Sequence, residues 1–335
     1  GAESMRGGLG DDTLWGHGGN DNLDGGAGND AIIGGDGADV IVDSGGALDI
    51  DTIKGGPGDD AINGGQGGDV MLGEDGDDVV IGTEGPKEVF LGNGNDYFLG
   101  GTGDDAPLGN EGDDWMEGGP GLDALIGGHA APFENDRVTG DDVLIGGTGD
   151  DAYEAEGGDD IMINDDGLDE HLGMFGFDWA THRGAANAVT DINNSPLDPV
   201  NPNDPAANLV DTFRLTEGLS GAAGSDTLRG DNRGNGDAAN DAFQGTFDGH
   251  ELTRPGLIEG LQALLGPGVA QFTGGNIILG GAGSDLIEGR GGNDIIDGDR
   301  FLEVYLQAPP VGGGPLERVD SVEQIRARIF DRSLV

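Results

Sequence analysis

The sequence contains no cysteine, little aromatic character and almost no positive charge. Without cysteine there is no disulfide, no thiolate zinc site and no cysteine nucleophile. Aromatic residues make up 5%, too few for a conventional thick core. Lys and Arg together number 15 against 65 acidic residues, giving a formal net charge of -50. Such a chain repels itself, nucleic acid and anionic membrane, and attracts cations. No apolar run is long enough to span a bilayer, so membrane insertion is not expected. Nothing at the N-terminus resembles a signal peptide. The chain opens Gly-Ala-Glu-Ser-Met-Arg and is in repeat phase by Gly7, which reads as a fragment or a processed product of something longer. What is abundant is glycine, with 72 residues, and acid. Composition alone would fit disorder, since low hydrophobicity and high charge do not offset chain entropy.

The order of residues defeats that reading. From Gly7 the sequence runs GGLGDDTLW, GHGGNDNLD, GGAGNDAII, GGDGADVIV, nine residues to a unit. Three extra residues follow Val42. The phase resumes at Gly46 with GALDIDTIK and holds to Ile126. After an irregular stretch (127–136), four more units reach Leu172: RVTGDDVLI, GGTGDDAYE, AEGGDDIMI and NDDGLDEHL. In most units Gly leads, Asp holds the sixth place and an apolar residue the eighth (Leu14, Leu23, Ile32, Ile41, Ile53, Ile62, Met71, Val80, Val89, Phe98, Met116, Leu125). Disordered tracts have no reason to keep this phase. Six residues are expected to make a glycine-rich turn. The other three make a short strand whose middle side chain points inward. Two units close one turn of a flattened coil, with two parallel sheets over a thin apolar layer.

The sixth-place Asp carries the chemistry. Calcium takes six to eight oxygens at ~2.3–2.6 Å. Asp residues 18 apart fall on one edge of the coil, and turn carbonyls supply further oxygens. The candidate ligands are Asp12, Asp21, Asp30, Asp39, Asp51, Asp60, Asp69, Asp78, Asp96, Asp105, Asp114, Asp123, Asp142, Asp151, Asp160 and Asp169. A single Asp in a turn is ordinarily just a turn residue; sixteen in register are not.

These tandem units resemble the RTX (repeats-in-toxin) family, consensus GGxGxDxUx with U apolar. The likeness covers roughly half the chain directly. It implies one-step (type I) export of an unfolded chain, folding in external calcium and an extracellular, secreted or cell-surface location. Three departures stand out. Lys87 takes the sixth place of GTEGPKEVF, so sites using that loop are expected to be lost or altered, with its ammonium where the ion would sit. Pro107 occupies an inward place and should weaken its strand. His171, also inward, suggests that the roll ends there.

After Leu172 the repeat stops. GMFGFDWATHRG (Gly173 to Gly184) is apolar and aromatic and reads as a cap on an open roll end. A Pro/Asn-rich loop follows. The repeat restarts as GAAGSDTLR (Gly221 to Arg229), is interrupted to Gly274, then closes with GGNIIL, GGAGSDLIE, GRGGNDIID and GDRFLEVYL. Asp226, Asp285 and Asp294 are its candidate ligands. Within the interruption, Leu257, Ile258, Leu261, Leu264 and Leu265 share a helical face, with Thr253 as N-cap and Gly266 as stop. DNRGNGD opens like an EF-hand loop, but Arg233 and Ala242 stand at its third and twelfth places, against that motif. Ser321 to Phe330 reads as an amphipathic helix. From about Gly157 onward the sequence also resembles the C-terminal region of large bacterial RTX proteins that carry an animal-type (peroxinectin-like) haem peroxidase domain. No peroxidase catalytic segment is present.

The five histidines (His17, His129, His171, His182, His250) lack HExxH spacing, Ser225 and Ser284 lack the GxSxG elbow, and no phosphate-cradling loop occurs. No enzyme activity is expected of this chain. The expected fold is all-β, a parallel β-roll (right-handed β-solenoid) with a second short roll and a small helical insertion. The expected division is a long roll at 1–172 with an insertion at 127–136, a cap and loop at 173–217, a second roll at 218–310 interrupted at 230–273, and a helix at 311–335. The expected function is a calcium-binding module that supports export and folding of an attached domain, with haem peroxidase the expectation. A structural or adhesive surface protein, self-associating through roll ends, is the alternative.

Overall fold

The computed structural model describes residues 1–129, 140–165, 167–182, 189–192, 211–214, 216–231, 251–252, 255, 260–267, 269, 271–273, 275–310 and 314–330. It divides into two compact units, Gly1–Ala130 with Glu303–Val335, and Ala131–Leu302.

In the first unit one parallel sheet takes the strands Ser4–Leu9, Asn22–Ala27, Val40–Val42, Ala61–Gly65, Val79–Gly82, Tyr97–Leu99 and Trp115–Pro120. The other takes Thr13–Gly18, Ala31–Asp36, Thr52–Pro57, Val70–Asp75, Glu88–Asn93, Ala106–Glu111 and Ala124–Ile126. Successive strands of the chain therefore alternate between sheets, as the two-unit turn requires. Register places Leu23 beside Ile41, Ile62, Val80, Phe98 and Met116 in one column, and Leu14 beside Ile32, Ile53, Met71, Val89 and Pro107 in the other. Leu23, Ile32, Ile41, Ile53, Ile62 and Met71 are 0% exposed. Each such side chain contributes roughly 1.5–3 kcal/mol of burial, so the thin layer is the core.

Many strands span six residues rather than the expected three, because the coil-to-coil ladder continues through the first three places of the next unit. The glycines explain how. Gly8, Gly26, Gly35 and Gly56, at second places, have φ between 108° and 121°, a region L side chains rarely enter. Every non-glycine residue with positive φ among the described residues also sits at a second place: His17, Glu74, Asn110, Glu156, Met174 and Arg290. Pro107 is accommodated inside Ala106–Glu111. Its ladder toward Ala124–Ile126 narrows to the pair Leu108 and Ile126, the effect of a missing N–H.

The C-terminal residues of this unit form an antiparallel hairpin (Leu306–Ala308 with Glu317–Val319), a 3-10 turn (Val322–Gln324) and a short helix (Arg326–Phe330). The expected Ser321–Phe330 helix is thus split. Ser321 caps its start by accepting a hydrogen bond from the Glu323 N–H. Glu117, buried on the outer face of the roll, holds this segment: its carboxylate accepts from Trp115 Nε1 (2.7 Å), the Val322 N–H (2.8 Å) and the Ser321 hydroxyl.

In the second unit a parallel sheet runs through Val143–Thr148, Ile161–Asn164, Trp179–His182, Gly218–Ser220, Ile277–Leu279 and Ile295–Asp297. Trp179–His182 was expected to lie in a cap. It is instead a repeat strand, hydrogen-bonded to Ile161–Asn164 on one side and Gly218–Ser220 on the other. GMFGFDWAT is a degenerate nonapeptide: Met174 takes the strained second place, Asp178 the sixth and Ala180 the inward eighth. Its outward Trp179 is covered by Phe177, Leu252 and Leu261, the last from the helix Leu261–Leu265. That helix stops at Gly266 as expected, while Thr253, Leu257 and Ile258 lie outside the described residues. His171 does not end the roll either. Its strand pairs onward with Thr212–Arg214, and its ring stacks between Tyr153 (4.7 Å) and Phe213 (4.6 Å). Burial lowers its pKa to about 3, so the ring is neutral and packs as an aromatic.

Candidate calcium sites

The sixth-place residues form ladders along the edges of the coils. Along one edge each backbone N–H donates to Oδ1 of the Asp one coil later: Asp21 to Asp39 (2.7 Å), Asp39 to Asp60 (2.7 Å), Asp60 to Asp78 (2.8 Å), Asp78 to Asp96 (2.7 Å) and Asp96 to Asp114 (2.8 Å). The other edge runs Asp12 to Asp30 (2.7 Å), Asp30 to Asp51 (2.7 Å) and Asp51 to Asp69 (3.0 Å), then Lys87 to Asp105 (2.7 Å) and Asp105 to Asp123 (2.8 Å). In the second unit Asp142 donates to Asp160 (2.7 Å), Asp151 to Asp169 (2.8 Å) and Asp226 to Asp285 (3.0 Å). Asp294 accepts from the Asn276 N–H (2.9 Å). Every candidate named from the sequence is therefore in a ladder. Asp12, Asp285 and Asp294 are half-buried and the others buried.

The ladders also contain residues the repeat count missed. Asp178 accepts from the Asp160 N–H (3.2 Å) and donates its own to Glu217 Oε2 (3.1 Å). Asp211 accepts from Asp169 (3.1 Å), and Asn276 accepts from Asp231 (3.0 Å). Asp211, Glu217 and Asn276 each immediately precede or closely flank a roll strand, but inserted sequence separates them from the tandem phase. An acidic or amide residue two places before a single inward apolar residue (Phe213, Leu219, Ile278) is the signal that would have found them.

One oxygen per carboxylate is thereby committed, and the other is turned inward. Oδ2 of Asp12, Asp30, Asp51, Asp60, Asp78, Asp96, Asp105, Asp160 and Asp178 is buried with no hydrogen-bond partner. Those of Asp12, Asp30, Asp60, Asp78 and Asp105 face first-place glycines. A Cβ on Gly55 would overlap Asp60 Oδ2 and approach the Gly73 carbonyl oxygen, and one on Gly73 would overlap Asp78 Oδ2 and the Leu91 carbonyl oxygen. At these turns the first-place glycine leaves a small space walled by oxygen. Burying so many carboxylates raises them: Asp60 to about 8, Asp78 to about 9, Asp96 and Asp169 to about 7, with neighbouring carboxylates adding to the burial effect at Asp60, Asp78 and Asp169. Asp160 and Asp178 are driven well above the usual range for the same reasons. Unpaired buried charge of this kind is strongly unfavourable unless a cation joins it.

Lys87 shows that these oxygens suit a cation. Its side chain is wholly buried, and its ammonium lies 3.3 Å from Asp69 Oδ2. The ammonium also donates to the carbonyl oxygens of Gly67 (2.6 Å), Glu84 (3.0 Å) and Gly85 (3.1 Å). Turn carbonyls from two coils and a sixth-place carboxylate converge on one positive charge, as a hard divalent ion with oxygen ligands requires. The positive charge opposes the burial effect at Asp69 and at Asp105, which rises only to about 6.

A parallel β-roll whose turns present rows of buried carboxylate oxygens defines a class: repeat proteins with cation sites between successive coils. The chain belongs to the RTX calcium-binding nonapeptide repeat family, whose model matches residues 1–32, 24–47, 33–71, 45–80, 72–106, 108–130, 138–169 and 272–301, more than half of the sequence. Repeats of this family bind multiple calcium ions, and the oxygen-lined turns fit that ion. Comparison with curated proteins finds no match. Among the described residues no helix is long and apolar enough to cross a membrane.

Proposed function

We propose that calcium is the ion that completes these turns, and that its binding folds the chain as a module of an exported protein. The observation that carries the reading is the row of buried, partnerless Oδ2 oxygens, reproduced coil after coil. The sixth-place Asp residues of both units are the proposed ligands, joined by turn carbonyls and by Asp178, which occupies the same position. Each ion offsets two charges and links adjacent coils. Metal binding and folding are then one free energy. At extracellular affinities of ~10⁻⁴–10⁻³ M the chain stays open inside a cell and closes outside, which suits export through a type I machinery to an extracellular location. The β-roll itself is a structural fold. The likeness of the sequence after Gly157 to peroxidase-bearing RTX proteins supports a haem peroxidase as the attached domain.

The ligand assignment is tested at Asp60, which has neighbours on both sides of its ladder. Asp60→Ala is expected to remove one or two bound calcium ions by isothermal titration calorimetry. Unchanged stoichiometry would show that the sixth place is not the ligand position.

A further inference from the structure

The three-residue insertion after Val42 changes the chemistry of one turn. Register puts Val42 beside Asp24 and Asn63, so Asp43 takes the place that a first-place glycine holds in other coils. Elsewhere that glycine offers its carbonyl oxygen to the coil before: Gly25 O lies over Gly7, Gly34 O over Gly16 and Gly73 O over Gly55. At Gly25 the pattern breaks. A Cβ there would meet Asp30 Oδ2 at 2.6 Å and Asp43 Oδ1 at 2.6 Å. A carboxylate has replaced a neutral carbonyl.

Asp43 is firmly placed. Its N–H donates to Asn63 O (2.8 Å) and its Oδ2 accepts from the Gly45 N–H (2.7 Å). Oδ1 remains buried with no partner. Asp49 pins the insertion by accepting from the N–H groups of Gly46 (2.7 Å) and Gly28 (3.1 Å). Asp30 and Asp51 each spend Oδ1 on the ladder and leave Oδ2 partnerless. One oxygen from each of Asp30, Asp43 and Asp51 lies within 4.8 Å of the others, and all three residues are at most 3% exposed. Among the described residues no ion pair reaches any of them.

We propose that Asp30, Asp43 and Asp51 form a three-carboxylate calcium site that is the tightest in the chain and fills first. The proposal rests on the calcium reading above and adds a site outside the nonapeptide pattern. Ordinary turns supply fewer charged oxygens, and in oxygen-ligand sites affinity follows ligand charge. A first ion here fixes two coils and lowers the cost of the next.

The experiment is calorimetric titration of the full chain with calcium in calcium-buffered solution, for wild type, Asp43→Asn and Asp43→Gly. Glycine is the residue ordinary turns carry at this place, so the coil is retained, and asparagine keeps the shape while removing the charge. Wild type is expected to show one equivalent bound at least about tenfold more tightly than the rest. That equivalent should disappear in both variants while the weaker sites persist. A tight equivalent surviving in both variants overturns the three-carboxylate site and leaves the family reading intact. A wild-type chain that takes up no calcium overturns both.

Discussion

Lys87→Met is expected to destabilise the calcium-loaded roll by about 3–5 kcal/mol, the usual result of removing one partner from a buried pair. Methionine fills the space but leaves the Asp69 carboxylate and three carbonyl oxygens facing it without their cation. Lys87→Asp has a different outcome. It restores the ladder residue, creates room for an ion, and should add calcium binding while making that turn depend on calcium. Denaturant unfolding at saturating calcium checks the first variant and calorimetric stoichiometry the second. A Lys87→Met chain as stable as wild type would show that the ammonium does not serve as a fixed cation. In the folded roll Lys87 therefore supplies one turn of the first unit with a built-in cation.

The second large effect is acid folding without calcium. The carboxyls of Asp60, Asp78 and Asp96 are raised from 3.8 to about 8, 9 and 7. A raised carboxyl means that the folded chain holds protons the unfolded chain has released. The stability linked to those protons is fully present below about pH 4 and is lost as the pH rises through 7 to 9. In calcium-free buffer the strand signal in circular dichroism should therefore grow as the pH falls from about 8 toward 4. With calcium bound the ions take the place of the protons, and the signal should be high at pH 8 as well. A calcium-free chain that loses strand signal on acidification would contradict the burial of unpaired carboxylates.

Much of this arrangement is legible in the sequence, because the phase of one apolar residue and one Asp in nine dictates both the core columns and the ladders. What escapes is whatever breaks tandem spacing. GMFGFDWAT reads as an aromatic cap because Met174, Phe175 and Phe177 mask the glycine pattern, yet Asp178 and Ala180 keep the two places that matter. Asp211, Glu217 and Asn276 sit after insertions of irregular length, and only the stacking of coils shows that they continue the ladders. Asp43 looks like surplus sequence between two units; register alone makes it a first-place residue. His171 was misleading for another reason. An inward histidine is costly when charged, but between Tyr153 and Phe213 it is neutral and stacked.

The coupling of calcium to the fold has a direct readout. Circular dichroism at neutral pH, followed from chelator to several millimolar calcium, should show little strand structure at the start. A cooperative gain is expected over ~10⁻⁴–10⁻³ M calcium. The same strand signal in chelator as in calcium would contradict it.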